Sequence, residues 1–364
     1  MRKLKFFTSF LSAVLLITSV KADVSLSAES AIVMEASTGK VVYEKDADTR
    51  RGMASTTKIM TALCAIEAAE LTEVITVAKE AEGVEGSSVY LKAGDRLTLS
   101  DLLDALMLES ANDAATAIAV GVSGSVEAFA ELMNKKANEL GLCDTHFTNP
   151  HGLSDSEHYT TARDLARLAA AAMENPVFRQ TVSKQTGQIS LGDSTRFLRN
   201  HNKMLRIYEG ACGVKTGFTK ACGRCLVSAA QRDGMTLVAV TLNAPDDWND
   251  HKALLDMGFS SLERVELIRE GESAFIVPCI GTEKGDVIIK SREGLTLILH
   301  KKERNIKRRV ILPQYMWAPV IKDSVVGKIE FYDGEEILGS VPLYAEETVE
   351  RVHYRKSILE RIIN

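Results

Sequence analysis

Met53-Ala-Ser-Thr-Thr-Lys-Ile-Met-Thr-Ala-Leu63 is the stretch on which the reading of this chain turns. From residue 55 to 70, Ile59, Met60, Leu63, Cys64 and Ile66 make one broad apolar side, so the spacing predicts a helix laid against a core. Ahead of it, Ala31-Ile-Val-Met34 and Val41-Val-Tyr43 flank a Ser37-Thr-Gly39 turn, the pattern of a β-hairpin. Behind it, residues 97–109 and 111–120 are apolar and helix-forming, broken around Ser110. Residues 126–140 and 162–173 read as two more helices, the second capped by Thr160 or Thr161. Strand patterns return at 212–216, 225–230 and 237–242, and 250–257 reads as a helix closed by Gly258. Strands, a long helical middle and strands again imply an α/β domain whose helices are inserted between strands.

Past about residue 265 the texture changes. Val287-Ile-Ile289, Leu295-Thr-Leu-Ile298 and Lys328-Ile-Glu-Phe331 are short β-branched runs between turn residues, which predicts a small all-β domain over 266–345. Residues 346–364 then read as a C-terminal helix. A length of 364 residues fits two domains, and 45% apolar with 26% charged residues fits a soluble globular protein. The net charge of −5 argues against a general nucleic-acid binder.

Residues 1–22 follow different rules. Arg2, Lys3 and Lys5 precede an apolar stretch over 6–20, and Val20-Lys-Ala22 offers small residues for cleavage, so a signal peptide is expected. An uncleaved N-terminal anchor is the other reading, and both put the 23–265 catalytic domain outside the cytoplasm. The six cysteines (64, 143, 212, 222, 225 and 279) are too sparse for a disulfide scaffold. Cys222-Gly-Arg-Cys225 lacks the second pair that a zinc site needs, so the cysteines read as small buried hydrophobes.

Three strings carry chemistry: Ser55-Thr-Thr-Lys58, Ser110-Ala-Asn112 and Lys215-Thr-Gly217. An S-x-x-K arises by chance roughly once in a chain this long, and Ser37-Thr-Gly-Lys40 is such a copy, sitting in a hairpin turn. Ser55 instead opens a helix, which puts Lys58 one turn on and on the same face. A serine hydroxyl needs a base, and a lysine serves once burial and a nearby cation lower its pKa. Lys215 is placed to be that cation and to hold a substrate carboxylate. Gly217 has no side chain to obstruct a peptide lying along the strand. Ser110 offers a hydroxyl for proton relay and Asn112 an amide for gripping substrate. His151, His158, His201 and His251 are scattered and read as surface or loop histidines. Without H-E-x-x-H or G-x-S-x-G, a zinc peptidase or a Ser-His-Asp hydrolase is disfavoured.

With Asn149-Pro-His-Gly-Leu153 and Lys215-Thr-Gly-Phe-Thr219 added, the chain over roughly 28–345 resembles the low-molecular-mass penicillin-binding D-alanyl-D-alanine carboxypeptidases. The resemblance implies a β-lactamase/transpeptidase-like α/β domain, an antiparallel sheet with a helical insertion, followed by the small β domain. It implies Ser55 as the acylated nucleophile, Lys58 as general base and Ser110 with Asn112 as the second-motif pair. Lys215, Thr216, Gly217 and Phe218 would bind substrate, and the amides of Ser55 and Phe218 would form the oxyanion hole. His201 stands where some relatives carry arginine. Stem peptides of peptidoglycan and β-lactam antibiotics are the implied partners, no metal or other cofactor is implied, and the implied place is the outer face of the cytoplasmic membrane, the periplasm or the wall.

A β-lactamase shares the three motifs, but the E-x-x-L-N context of the class A deacylating glutamate is missing. A non-catalytic penicillin-binding sensor is the other alternative, and D-alanine release separates the two. For 346–364, basic Arg351, Arg355, Lys356 and Arg361 balance acidic Glu346, Glu347, Glu350 and Glu360, so only weak, salt-sensitive membrane contact is expected. The basic run from Lys301 to Arg309 reads as a solvated strand edge.

Overall fold

The computed structural model describes residues 25–192, 194–302 and 304–352; the expected signal peptide lies outside them. Strands β1 (Ser30–Glu35) and β2 (Val41–Lys45) form the predicted hairpin. At its turn the Glu35 carboxylate accepts from Thr38 N–H and from the hydroxyls of Ser37 and Thr38, so the second S-x-x-K copy is turn chemistry. The chain then runs through a 3-10 turn (Ala54–Thr57) straight into α1 (Lys58–Ala68), so the predicted helix begins with a tighter turn. A short ribbon of β3 (Val74–Thr76) and β4 (Arg96–Thr98) leads to α2 (Leu99–Leu108), α3 (Asn112–Ser123), α4 (Val126–Glu139), α5 (Ala162–Glu174) and α6 (Pro176–Ser183). Side-chain oxygens of Thr98, Ser125, Thr161 and Asn175 each accept from amides of the turn they open. Thr161, not Thr160, is therefore the cap of α5.

Next come β5 (Thr186–Leu191), β6 (Ser194–Arg199), the single turn α7 (Met204–Ile207), β7 (Ala211–Thr219), β8 (Gly223–Arg232), β9 (Met235–Leu242) and α8 (Asp247–Ser261). The main sheet is antiparallel in the order β2-β1-β9-β8-β7, which leaves β7 on an edge. Both faces are covered. Ile32, Val238 and Val240 point into the core shared with α1–α6, while Val33, Leu237 and Ala239 point into the core shared with α8. Period-two alternation thus explains why these strands read as continuous apolar runs. Helix α8 runs past Gly258 instead of stopping there. A Cβ at that position would lie 2.4 Å from Leu237 Cδ1, so the glycine serves close helix–sheet packing.

The β region starts at Leu262, a few residues ahead of the expected boundary, because α8 passes directly into β10 (Leu262–Ile268). It adds β11 (Ala274–Ile280), β12 (Asp286–Ser291), β13 (Leu295–His300), β14 (Ile306–Ile311), β15 (Met316–Trp317), β16 (Val325–Asp333) and β17 (Glu336–Ala345). Six of these form a sheet in the order β14-β16-β17-β12-β11-β15, and β10 pairs with β13. Lys307, Arg308 and Arg309 lie exposed on the edge strand β14. The helix expected from residue 346 is contradicted over 346–352. Val349 bridges Val320 and is buried, and Val352 N–H donates to the Gly281 carbonyl, so this stretch extends the β structure. Residues 353–364 lie outside those described. Two other expectations are corrected by burial. His158 and His251 are interior, not surface, residues, and Cys143 is exposed.

Candidate active site

Ser55 sits half-buried in the 3-10 turn that β7 backs. Ala54 holds the left-handed region (φ 47°), where a Cβ is strained. The turn is clamped from two sides. Gly217 packs so close that a Cβ there would lie 3.1 Å from Met53 O, Ser55 N and Thr56 N. The glycine therefore first makes room for the serine's own turn. From the other side comes the Asn149–Leu153 loop. Asn149 Oδ1 accepts from the amides of His151 and Gly152, and Thr61 Oγ1 donates to Pro150 O at 2.6 Å. Gly152 has φ 88°, and a Cβ on it would lie 1.9 Å from Ala54 O. Thr57 Oγ1 donates to Ala54 O and lies 2.7 Å from His158 Nε2. His158 Nδ1 accepts from Thr148 N–H, so Nε2 carries the proton. Burial pushes that imidazole down to about 4, leaving a neutral ring as a fixed prop.

Lys58 is fully buried. Its Nζ lies 3.0 Å from Ser55 Oγ, 2.7 Å from Asn112 Oδ1 and 2.7 Å from His151 O. Burial, and then the Lys215 charge, hold the amine well below its ordinary value, with Asp113 opposing. A neutral amine has two hydrogens and one lone pair. With the hydrogens given to Asn112 and His151, the lone pair is left to face the Ser55 hydroxyl.

The second and third strings meet opposite. Ser110 adopts φ 60° between α2 and α3, and its Oγ accepts from Lys215 Nζ at 3.0 Å. Lys215 also donates to Thr216 O at 3.0 Å, and burial lowers its amine to about 7. Asn112 is buried, with Oδ1 on Lys58 and Nδ2 donating to Glu85 O, so its amide aims Lys58. Sequence reasoning missed Asp113, whose carboxylate accepts from Ser88 Oγ and from the amides of Val89 and Leu91, holding the 85–91 loop in place.

Ser55, Ser110, Thr216, Gly217 and Phe218 line one cleft of about 630 Å³. Phe218 is 63% exposed at its mouth. His201 is also on the wall, 3.3 Å from Glu109, and burial lowers its imidazole despite that carboxylate. Sequence reading did not reach other residues of the cleft, among them Arg199, Lys203, Arg206, Arg224, Asp247 and Trp248.

A hydroxyl set against a buried amine of lowered pKa, at the edge of an antiparallel sheet, defines a serine acyl-enzyme. Comparison with known proteins narrows the class. The family model described as D-alanyl-D-alanine carboxypeptidase matches residues 17–246, and that of the penicillin-binding protein 5 C-terminal domain matches 262–351. This chain belongs to the serine-type D-alanyl-D-alanine carboxypeptidase family. It is 30% identical over 347 residues to D-alanyl-D-alanine carboxypeptidase DacF of Bacillus subtilis, covering 91% of this chain and 88% of the relative. With DacC of Escherichia coli it shares 33% identity over 347 residues, covering 90% and 85%. Penicillin binding protein 5 from Haemophilus influenzae superposes with a TM-score of 0.70 at 26% identity, covering 90% of this chain and 98% of that one. The expected fold, a catalytic α/β domain followed by a β-rich one, is the fold of these neighbours.

Proposed function

We propose that Ser55 attacks the carbonyl of the penultimate D-alanine in peptidoglycan stem peptides and that the terminal D-alanine leaves. The Ser55 proton passes to Lys58 as the Oγ–C bond forms. The C–N bond then breaks, the leaving amine takes a proton through Lys58 or Ser110, and water hydrolyses the ester. Lys215 and Thr216 hold the terminal carboxylate. The amides of Ser55 and Phe218 face the developing oxyanion, and the open edge of β7 receives the peptide as an added strand. The observation that carries this reading is the Lys58 amine, buried, 3.0 Å from Ser55 Oγ and without a carboxylate partner among the described residues. β-Lactams mimic the acyl donor and acylate the same serine. The protein acts outside the cytoplasm, exported by residues 1–22, and residues 346–364 give only weak, salt-sensitive membrane contact, which liposome flotation with and without them tests.

Intact-mass spectrometry after penicillin treatment, with mapping of the adduct, tests the assignment. Ser55 should carry the label and Ser55→Ala should lose it; an adduct on Ser37 or Ser110 would overturn it. Release of D-alanine from a D-Ala-D-Ala peptide separates the enzyme from a non-catalytic sensor, which would be labelled but release none.

A further inference from the structure

The chain carries a net charge of −5, yet one wall of the cleft is strongly cationic. The wall is built, not incidental. Asn200 and Asn202 are buried: Asn200 Nδ2 donates to the carbonyls of Val182 and Lys184, and Asn202 Oδ1 accepts from Met204 N–H. The alternate residues Arg199 and Lys203 are thereby turned outward to the cleft, and α7 carries Arg206 one turn beyond Lys203. Across from them, Arg224 pairs with Asp247 at 3.1 Å. The Trp248 ring lies 5.8 Å from Lys203 Nζ and 5.9 Å from Arg224 Cζ. The side-chain cations of Arg199, Lys203 and Arg206 pair with no carboxylate among the described residues; Asp247 is taken by Arg224 and Glu109 by Arg199 N–H and His201, which leaves a surplus of positive charge.

The direction of the substrate says what this surplus meets. Under the proposed function, the terminal carboxylate lies at Lys215 and the reacting carbonyl at Phe218. The acyl portion of the peptide then continues past Phe218, whose partner across the strands is Arg224. We propose that this wall is a second carboxylate subsite, which selects stem peptides bearing a free side-chain carboxylate on the acyl side of the scissile bond. Lys203 and Arg206 are its specificity residues, and Trp248 with Arg224 forms its far side. The inference rests on the proposed function.

The test pairs two peptides ending in D-Ala-D-Ala that differ only in whether the preceding residue carries a free side-chain carboxylate or its amide. Wild-type kcat/KM should favour the acid by about tenfold, since two or three exposed charge contacts of up to ~1 kcal/mol each act together. The preference should shrink as salt is raised. In the double variant Lys203→Ala with Arg206→Ala, the acid-to-amide ratio should fall towards one. Because the ratio is taken within each protein, a general loss of activity cancels. Equal turnover of acid and amide by the wild type, or an unchanged ratio in the variant, overturns the subsite while leaving the proposed function standing. Release of D-alanine from neither peptide would overturn both.

Discussion

Lys58 is fully buried beside the Lys215 charge, and both favour loss of its proton against the opposing charge of Asp113. Guanidinium in its place cannot lose a proton at ordinary pH. Lys58→Arg should therefore lower the rate of penicillin acylation by about 10²–10⁴-fold in protein verified as folded by circular dichroism, read by stopped-flow or gel labelling. Near-normal acylation would remove Lys58 from the role of base. Lys215 makes a separate prediction because its amine is lowered to about 7. Below that pH it is charged and can hold a carboxylate; above it the charge is lost. For the free enzyme, kcat/KM should fall on the alkaline side of about 7 with carboxylate-ended peptides and stay level with C-terminally amidated analogues. A parallel fall in both would place the titration in the chemistry instead. That Ser55 meets Lys58 and Ser110 meets Lys215 was legible from the order and context of three strings, because a helix turn and a strand edge have fixed reach. The inward aim of Asn112 was not, since it depends on the Glu85 carbonyl brought in by a separate loop.

The elements were legible where apolar spacing and caps agreed. Helices α2, α4 and α5 start at side chains that accept from their own first turns, and the sheet strands carry two-sided apolar runs. The stretch from Thr186 to Ile207 was missed because its alternation is mostly polar, with Asn200 and Asn202 buried beside only Ile189, Leu198 and Met204 among the described residues. Residues 346–352 looked helical because their partners, Gly281, Ile288 and Val320, are distant in sequence. The Asn149–Leu153 loop was legible as a string but not as a clamp. Its Gly152 stands at φ 88° under the Ala54 carbonyl, so Gly152→Ala must displace the turn that carries Ser55. Acylation should fall by about 10²-fold, as a shift of an ångström can cost. Gly94→Ala is the control: it has φ 91° but open space, so it should lose about 1–2 kcal/mol of stability from backbone strain and acylate normally. Equal acylation by the two variants would mean that the loop does not position Ser55.

Across the whole molecule, buried imidazoles are unevenly shared. His151, His158 and His251 are held by burial at about 3, 4 and 3, all in the catalytic domain, whereas His300, in the described part of the β domain, is exposed and is lowered by partial desolvation and the charges of Lys40, Arg304 and Lys302. The ordinary value of 6.5 applies once the chain unfolds. As pH falls below it, the unfolded state takes up protons that the folded interior refuses, and stability falls with pH. The loss continues down to the folded values of about 4 and 3, at up to ~1.4 kcal/mol per pH unit for each group. Lys58, also lowered by burial, adds a slope of the same sign, while Asp104 and Asp247, raised by burial, oppose it at lower pH. Between pH 6.5 and 5 the histidine contribution should therefore dominate. Calorimetry over that range should show the catalytic domain's transition moving to lower temperature by more than the β domain's, where His300 is a lowered histidine with a smaller shift. His158→Gln keeps a donor for Thr57 but has nothing to titrate, so it should flatten the shift by about one group's share. Two transitions that move together, or a slope untouched by His158→Gln, would mean that these interiors admit the proton.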